Sequence, residues 1–315
     1  MKILITGIHG FVGNNLVAGL KGRHNIYGLD IVSPQQEGVL RTFDWNDLNA
    51  IPQMDIVIHL AGMAHDTKNK TDAQAYFDIN TGLTKKIFDW FLTNNAKKFI
   101  FFSSVKAVAD SVPGTYLTEE DQPNPKTPYG KSKLEAEKYI LNQSLTDNQK
   151  VYILRPCMIH GSGNKGNLNL LFKIVQKGIP WPLGKFENIR SFTSIDNLTH
   201  IISQLVVRDI ETGIYQIADD ESLSTNELIR LIAAAQKRKA RILKIPRRLI
   251  YFLAKIGDYL HLPLNSERLK KLTESYLVSN KKIKGVLELE KMPFSATEGF
   301  IKTFNSFQEQ NTDMN

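Results

Sequence analysis

The 315-residue sequence has one cysteine, Cys157, and no apolar run long enough to cross a membrane. One cysteine excludes an intramolecular disulfide and a thiolate metal cage. A membrane-spanning helix needs about 18 or more apolar residues in succession. The opening MKILITG enters a strand pattern directly and lacks the layout of a signal peptide. We therefore expect a soluble, cytoplasmic protein.

Acidic residues are scarce in only one part of the chain. Residues 1–160 carry 17 lysines and arginines against 16 acidic residues, whereas residues 161–315 carry 23 against 16. Within residues 237–291 the count is 15 against 5. The net charge of +8 therefore falls in the second half. Such an excess favours an anionic partner, which could be nucleic acid, a phosphorylated metabolite or a membrane surface.

Short apolar segments alternate with helical patterns in the first half of the chain. Buried strands are predicted at residues 2–6, 25–30, 55–60, 99–103 and 151–154, and helices at 14–20, 81–93 and 129–142. Strands that alternate with helices form parallel sheets covered on both faces. The predicted fold class is therefore α/β, with a Rossmann-type doubly wound parallel sheet.

The pattern loosens after residue 156, where glycines and prolines become frequent. We place a first domain at residues 1–165, to which 190–220 return. A smaller C-terminal α/β lobe for the substrate takes 166–189 and 221–315. Within that lobe, helices are expected at 225–237 and 247–260.

A glycine-rich turn, Thr6-Gly7-Ile8-His9-Gly10-Phe11-Val12-Gly13, follows the first strand and leads into a helix. Glycines let the backbone approach a diphosphate, and the helix N-terminus presents free N–H groups to it. Asp30 ends the second strand, where a carboxylate accepts hydrogen bonds from ribose hydroxyls and repels a 2′-phosphate. The pattern favours NAD over NADP. The alternative is an ordinary tight turn of an α/β protein.

A candidate proton-transfer group lies at the start of the helix predicted after residue 128. Tyr129 and Lys133 are four residues apart and share a helix face. A phenol with a pKa of about 10 is a poor base, but a neighbouring ammonium and a nicotinamide cation would lower that pKa. Ser104 follows a strand end, where open α/β sheets place their ligands. Tyr-x-x-x-Lys pairs also occur on solvated helices; the combination with Ser104 and the glycine turn favours catalysis.

Together these motifs resemble those of extended short-chain dehydrogenases/reductases of the NAD-dependent epimerase/dehydratase family, which act on nucleotide sugars. The matching segments are TGIHGFVG (6–13), Asp30, HLAG (59–62), Asn80, FFSSVKAV (101–108), PYGKSK (128–133), RPCMIHGSG (155–163) and RSFTSIDNL (190–198).

The resemblance implies a role for each matching residue. The cofactor would contact Gly7, Gly10, Phe11, Val12, Gly13, Asp30, Asp44, Leu60, Ala61, Gly62, Asn80, Tyr129 and Lys133. Tyr129 would exchange the proton of a sugar hydroxyl, with Ser104 hydrogen-bonded to the same oxygen and Lys133 on the nicotinamide ribose. Arg190 would clamp the diphosphate of the sugar nucleotide. His65, Lys106 and Asn167 are further candidates for the substrate site, although a loop histidine such as His65 is more often structural. No metal is expected, because no histidines have ligand spacing with carboxylate support.

Departures from the family pattern narrow the expected reaction. Its 4,6-dehydratases carry Asp-Glu where this chain has Val105 and Lys106, so dehydration is not expected. Many of its epimerases carry Asn at the position of Cys157, which is more consistent here with a buried apolar role. We expect an NAD-dependent C4 epimerase of nucleotide sugars, serving surface polysaccharide synthesis. The alternatives are an NAD(P)H-dependent reductase of a nucleotide 4-keto-6-deoxy-N-acetylhexosamine and a non-catalytic dinucleotide-binding regulator.

Partners follow from the same considerations. No nucleic-acid motif is present, and the resemblance suggests a homodimer through helices 81–93 and 129–142. The basic amphipathic segment 246–262 has three interpretations: a cover for a domain core, a lid on the nucleotide diphosphate, or peripheral docking on anionic lipid.

Overall fold

A parallel sheet of seven strands forms the centre of the protein in the computed structural model, which describes residues 1–63, 72–164, 166–260 and 265–312. The sheet strands are β1 (Lys2–Thr6), β2 (Asn25–Leu29), β3 (Val39–Phe43), β4 (Ile56–His59), β5 (Lys98–Phe102), β6 (Lys150–Pro156) and, after three short strands, β10 (Gly213–Ile217). Four further short strands lie outside this sheet and form two pairs: β7 (Met158–His160) with β9 (Phe192–Ser194), and β8 (Ile189–Arg190) with β11 (Leu223–Ser224). All neighbours in the large sheet run parallel.

Helices join and cover these strands. They are α1 (Phe11–Leu20), α2 (Ala73–Tyr76), α3 (Leu83–Thr93), α4 (Pro128–Leu141), α5 (Asn167–Gln176), α6 (Ile195–Val207), α7 (Thr225–Ala235), α8 (Arg247–Tyr259), α9 (Ser266–Thr273), α10 (Lys281–Leu287) and α11 (Ala296–Thr312). A π-helical turn over Phe77–Gly82 connects α2 to α3. The predicted Rossmann-type sheet is confirmed, and its five predicted strands have their observed ends within two residues of the predicted ones.

The strand order is β3-β2-β1-β4-β5-β6-β10. The side of the sheet on which the chain adds strands therefore changes once, between β3 and β4, while all strands stay parallel. After β1 the chain builds outward to β3, and it then returns to place β4 on the other side of β1. Loops from β1 and β4 therefore diverge at the carboxyl edge of the sheet. Open α/β sheets bind their ligands in the crevice that forms at such a point.

Separate apolar clusters lie on the two faces of the sheet and in the C-terminal part of the chain. One face packs against α1 and α6, and the other against α3 and α4. A further cluster joins α5, α7, α8 and α11 around Phe172, Phe300 and Phe304. Ile283 and Leu287 of α10 pack in the cluster that covers one face of the sheet. The predicted domain limits, 1–165 with 190–220 and then 166–189 with 221–315, stay a prediction.

Among the described residues no helix is both long enough and apolar enough to span a bilayer.

Candidate functional site

The glycine turn lies at the switch point of the sheet. Gly7 has φ of +67°, a conformation that side chains rarely adopt, and a Cβ there would lie 2.9 Å from the backbone nitrogen of Ala61. Gly10 is the N-cap of α1 and offers no capping side chain. Because no side chain caps the helix, its first N–H groups are available to an anion. The turn thus has the close backbone approach and the N–H groups that a diphosphate requires.

Asp30 and Asp44 line one pocket beyond the ends of β2 and β3. The pocket has a volume of about 190 Å³. The Asp30 carboxylate accepts hydrogen bonds from the backbone N–H groups of His9, at 3.1 Å, and Ile31, at 2.7 Å. These bonds hold the carboxylate beside the glycine turn. The sequence separation of Asp30 and Asp44 gave no sign of this shared pocket, because it depends on the pairing of β2 with β3.

The loop after β4 is held by buried polar side chains. The hydroxyl of Thr6 accepts hydrogen bonds from the N–H groups of Leu60 and Ala61. His59 bonds to Thr6 on one side, at 2.7 Å, and to Thr84 on the other, at 2.9 Å. Burial, with the charge of Lys133, lowers the pKa of His59 well below its usual value. His59 is therefore a neutral, packed residue.

Asn80 lies in the π-helical turn and is fully buried. Its amide accepts from the N–H of Met63 at 2.7 Å and donates to the hydroxyl of Ser132 at 3.0 Å. The side chain thus ties the loop of residues 60–63 to α4. Its predicted contact with the cofactor stays a prediction, and the observed bonds give it a positioning role.

Ser104 and Tyr129 meet at the end of β5. A hydrogen bond joins their side chains and lowers the pKa of Tyr129, but burial raises that pKa more strongly, and Tyr76 adds to the rise. The ring of Tyr76 stands edge-on to Tyr129 with centroids 6.2 Å apart. The protein's own groups therefore move the pKa upward, opposite to the direction expected from the Lys133 ammonium. Burial outweighs the hydrogen bond with Ser104.

Lys133 is buried one turn along α4 from Tyr129. Its ammonium donates to the carbonyl of Phe102 at 2.9 Å, and a Cβ on Gly62 would lie 3.2 Å from it. Burial lowers the pKa of Lys133 to about 8, against the opposing effect of Glu137. The structure thus brings the loop after β4 and the Tyr129–Lys133 face of α4 together over the end of β5.

A buried ion pair, which the sequence analysis missed, lies behind this face. Arg155 donates from Nε to Glu137 at 2.9 Å and from Nη2 at 2.5 Å. Ser103 donates to the same carboxylate. Glu137 falls four residues after Lys133, a helical spacing that could have suggested it.

The predicted substrate residues Lys106 and Arg190 lie near one another. The Lys106 ammonium donates to the carbonyl of Asp110 and sits 4.2 Å from the ring centre of Tyr276. Burial and the charge of Arg190 lower the pKa of Lys106. Arg190 donates to the carbonyls of Glu274, at 3.0 Å, and Lys271. Two half-buried cations thus lie close enough for the charge of one to act on the other.

Cys157 lies beside these cations but is buried among apolar side chains, and burial raises the pKa of its thiol. His65 lies outside the described residues, as does the side chain of Asn167, whose backbone begins α5. Their predicted substrate contacts stay predictions. Across the described ranges no three histidine, cysteine or acidic side chains could hold a metal ion.

The fold and the site define a class of protein. A seven-stranded doubly wound sheet, a glycine turn at its switch point and a Ser104–Tyr129–Lys133 cluster are those of a dinucleotide-dependent enzyme of the short-chain dehydrogenase/reductase type. Residues 3–218 match the model of the NAD dependent epimerase/dehydratase family. The chain belongs to that family, and NAD is the cofactor that the family assigns to this site.

Individual relatives support the same membership. UDP-glucose 4-epimerase of Vibrio cholerae is 30% identical over 98% of this chain and 96% of its own length. N-acetyl-alpha-D-glucosaminyl-diphospho-ditrans,octacis-undecaprenol 4-epimerase of Escherichia coli O157:H7 is 28% identical over 90% of this chain and 84% of its own. Among solved structures, MoeE5 in complex with UDP-glucuronic acid and NAD superposes with a TM-score of 0.77 at 20% identity, covering 98% of this chain and 100% of that one. This last likeness shows the fold.

Proposed function

We propose that the protein is a C4 epimerase of sugars carried on a diphosphate, with Tyr129 as the acid and base. The observation that carries the proposal is the contact between Ser104 and Tyr129 at the carboxyl edge of the sheet, with the buried Lys133 one turn away. Membership of the family and the two 4-epimerase relatives support the reaction.

The residues present fit NAD. The turn from Gly7 to Gly13 would hold the diphosphate, the Asp30 carboxylate the adenosine ribose, and the pocket shared with Asp44 the adenine end. Leu60, Ala61 and Gly62 would border the nicotinamide half, since their loop approaches Gly7 on one side and Lys133 on the other. Bound NAD supplies the hydride acceptor at sugar C4 and, once reduced, the hydride donor.

Tyr129 would take the proton of the C4 hydroxyl as the sugar is oxidised. The Ser104 hydroxyl, which already hydrogen-bonds the phenol, would hold the same sugar oxygen. Lys133 would stabilise the phenolate with its positive charge, because it is buried one turn from Tyr129 on the same helix. After the 4-keto sugar rotates in the site, hydride would return to the opposite face of C4, and Tyr129 would return the proton to the C4 oxygen.

Lys106 and Arg190 would bind the diphosphate of the substrate. Both are cations in a half-buried setting, and Arg190 is already oriented by two carbonyl groups near the end of α9. Lys106 and Arg190 would hold the substrate by its diphosphate and leave the sugar ring free to rotate. The 4-epimerase relatives act on UDP-glucose and on an undecaprenol-linked N-acetylglucosaminyl diphosphate, and we propose a substrate of this class in surface polysaccharide synthesis.

The test is an assay of the purified protein on UDP-glucose, UDP-N-acetylglucosamine and their 4-keto forms. Interconversion of C4 isomers without added cofactor supports the proposal. Stoichiometric consumption of added NAD(P)H with a 4-keto sugar would instead identify a reductase. Tight NAD binding without hydride exchange on any of these sugars would favour a non-catalytic regulator.

The variant Tyr129→Phe should lower turnover by about 10²–10⁴-fold or more, because general acid–base catalysis contributes on that order. Its NAD affinity should stay within about twofold, because a lost hydroxyl there removes little of the cofactor contact. Turnover close to that of the wild type would remove Tyr129 from the proposed role.

A further inference from the structure

Helix α8 exposes large apolar side chains that soluble proteins usually bury. Phe252 is 60% exposed and Tyr259 is 85% exposed, and Leu249, Tyr251 and Leu253 are also exposed. The residues of α8 that are buried are Ile250, Ala254 and Gly257, two of which are small. The helix therefore covers the core of the C-terminal lobe with its smaller side chains and presents its larger ones outward.

Helix geometry divides α8 into three stripes. At about 100° per residue, the buried Ile250, Ala254 and Gly257 fall within a sector of about 60°. Leu249, Phe252, Leu253 and Ile256 fall within a separate sector of about 100°. The cations Arg247, Arg248 and Lys255 occupy a third sector, beside the outer apolar one. A continuous apolar stripe next to a basic stripe is the pattern of a helix that lies in a membrane interface.

The approach to α8 extends the basic surface. Eight lysines and arginines lie in residues 237–260, against one acidic residue, Asp258. All eight are exposed. Within the described part of the chain, none of the eight has a carboxylate oxygen within the ion-pair distance of 4 Å. The surface is complementary in charge to an anionic bilayer, which attracts basic segments that lie next to an apolar anchor.

This surface is connected to the substrate side of the site, by which we mean the region of Lys106 and Arg190. Tyr251 of α8 packs edge-on against Phe186, with ring centroids 5.8 Å apart, and Arg247 donates to the carbonyl of Lys185 at 2.9 Å. The loop that carries Lys185 and Phe186 leads directly into β8, which ends at Arg190. Helix α8 also packs against α9, whose last turn accepts a hydrogen bond from Arg190.

We propose that α8 and the basic segment before it, residues 237–260, dock the protein on an anionic lipid bilayer. The outer stripe of Leu249, Phe252, Leu253 and Ile256 enters the interface, and the cations bind the headgroups. The docked face would hold the substrate side of the site near the bilayer surface. The inference goes beyond the proposed function and holds whether or not the protein is an epimerase.

The test is flotation of the full-length protein with vesicles of phosphatidylcholine, with and without phosphatidylglycerol. The wild type should float with the anionic vesicles and not with the neutral ones, and high salt should weaken its binding. The double variants Leu249→Ser/Phe252→Ser and Arg248→Glu/Lys255→Glu should each lose at least about tenfold in partitioning. Because all four side chains are exposed, both variants should keep the wild-type thermal unfolding.

Matched controls use exposed residues elsewhere. Leu40→Ser/Leu170→Ser removes two leucines that are each 62% exposed, and Arg23→Glu/Lys97→Glu reverses two exposed charges. Both should float as the wild type does, and so should Tyr129→Phe, which separates this inference from the proposed reaction. A wild type that does not float, or α8 variants that float normally, would overturn the proposal. A molar mass in solution that falls on Leu249→Ser/Phe252→Ser, without vesicle binding by the wild type, would assign the face to a second copy of the chain.

Discussion

Arg155 and Glu137 form a two-point ion pair beneath the face of α4 that carries Tyr129 and Lys133, with Nε–Oε1 and Nη2–Oε2 distances of 2.9 Å and 2.5 Å. Both side chains are at most 2% exposed. The pair links β6 to the helix that carries Tyr129 and Lys133. Ser103 adds a third donor to the carboxylate. Helix α4 is therefore fixed to the sheet by a buried charge network.

Removing the carboxylate should destabilise the fold. Glu137→Gln leaves the Arg155 guanidinium buried without its counter-ion, and breaking such a pair costs about 3–5 kcal/mol. Denaturant unfolding measures this change. Glu135→Gln on the same helix removes only an exposed pair with Lys85 at 3.5 Å and should cost less than about 1 kcal/mol. Equal losses for the two variants would contradict the role of the buried pair.

The stability of the protein should rise with pH through the titration of Lys133. Its pKa is about 8 in the folded protein against 10.5 for an ordinary lysine, so the unfolded chain binds the proton more tightly between these values. The stabilising contribution is complete above the unfolded pKa and is lost as the pH falls through 8, for a total of about 3 kcal/mol.

Denaturant unfolding of the wild type and of Lys133→Met as a function of pH measures this contribution. The stability difference between them should shift in favour of the wild type as the pH rises through that interval. Lys138→Met, at an exposed position on the same helix, should leave the slope unchanged. A difference that does not depend on pH would show that the pKa of Lys133 is not lowered by burial.

Gly7 and Gly22 form a matched pair for testing the glycine turn. Both have positive φ, +67° and +78°, but a Cβ on Gly7 meets the backbone of Ala61 at 2.9 Å, whereas a Cβ on Gly22 meets nothing within 4 Å. Gly22→Ala should cost about 1–2 kcal/mol, the backbone strain alone. Gly7→Ala should cost more and should also weaken NAD binding at least about tenfold, because the two loops must separate. Calorimetric titration with NAD and thermal unfolding provide the readouts, and equal behaviour of the two variants would refute the close approach.

Asp30→Asn should weaken NAD binding about tenfold and narrow the preference for NAD over NADP. In the proposed role of Asp30, the variant removes the charge that would attract the ribose hydroxyls and repel a 2′-phosphate. The dissociation constants of both dinucleotides, measured by titration, give the ratio. The control is Asp55→Asn. The Asp55 carboxylate accepts a hydrogen bond from the N–H of Lys2 at 2.7 Å, at the opposite edge of the sheet, so this variant should leave both dissociation constants unchanged. An unchanged NAD to NADP ratio for Asp30→Asn would count against Asp30 as the ribose ligand.

Some features of the protein were determined by the sequence alone, because they depend on local periodicity and backbone geometry. The apolar runs predicted the central strands, and the glycine spacing predicted the turn at Gly7. The spacing of Tyr129 and Lys133 placed both on one face of α4. The edge strand β3 was not predicted, because only Phe43 of its five residues is buried and its sequence VLRTF lacks a continuous apolar run.

Other features were decided only by the tertiary structure. The pairing of Glu137 with Arg155 depends on where β6 meets α4, and the shared pocket of Asp30 and Asp44 on where β2 meets β3. The direction of the Tyr129 pKa shift depends on burial, which raises the pKa more than the hydrogen bond with Ser104 lowers it. Periodicity likewise showed that α8 is amphipathic but not which side would face the core. The stripe of Ile250, Ala254 and Gly257 packs against the lobe, because the small Ala254 and Gly257 let the helix approach closely. The larger side chains of α8 remain exposed.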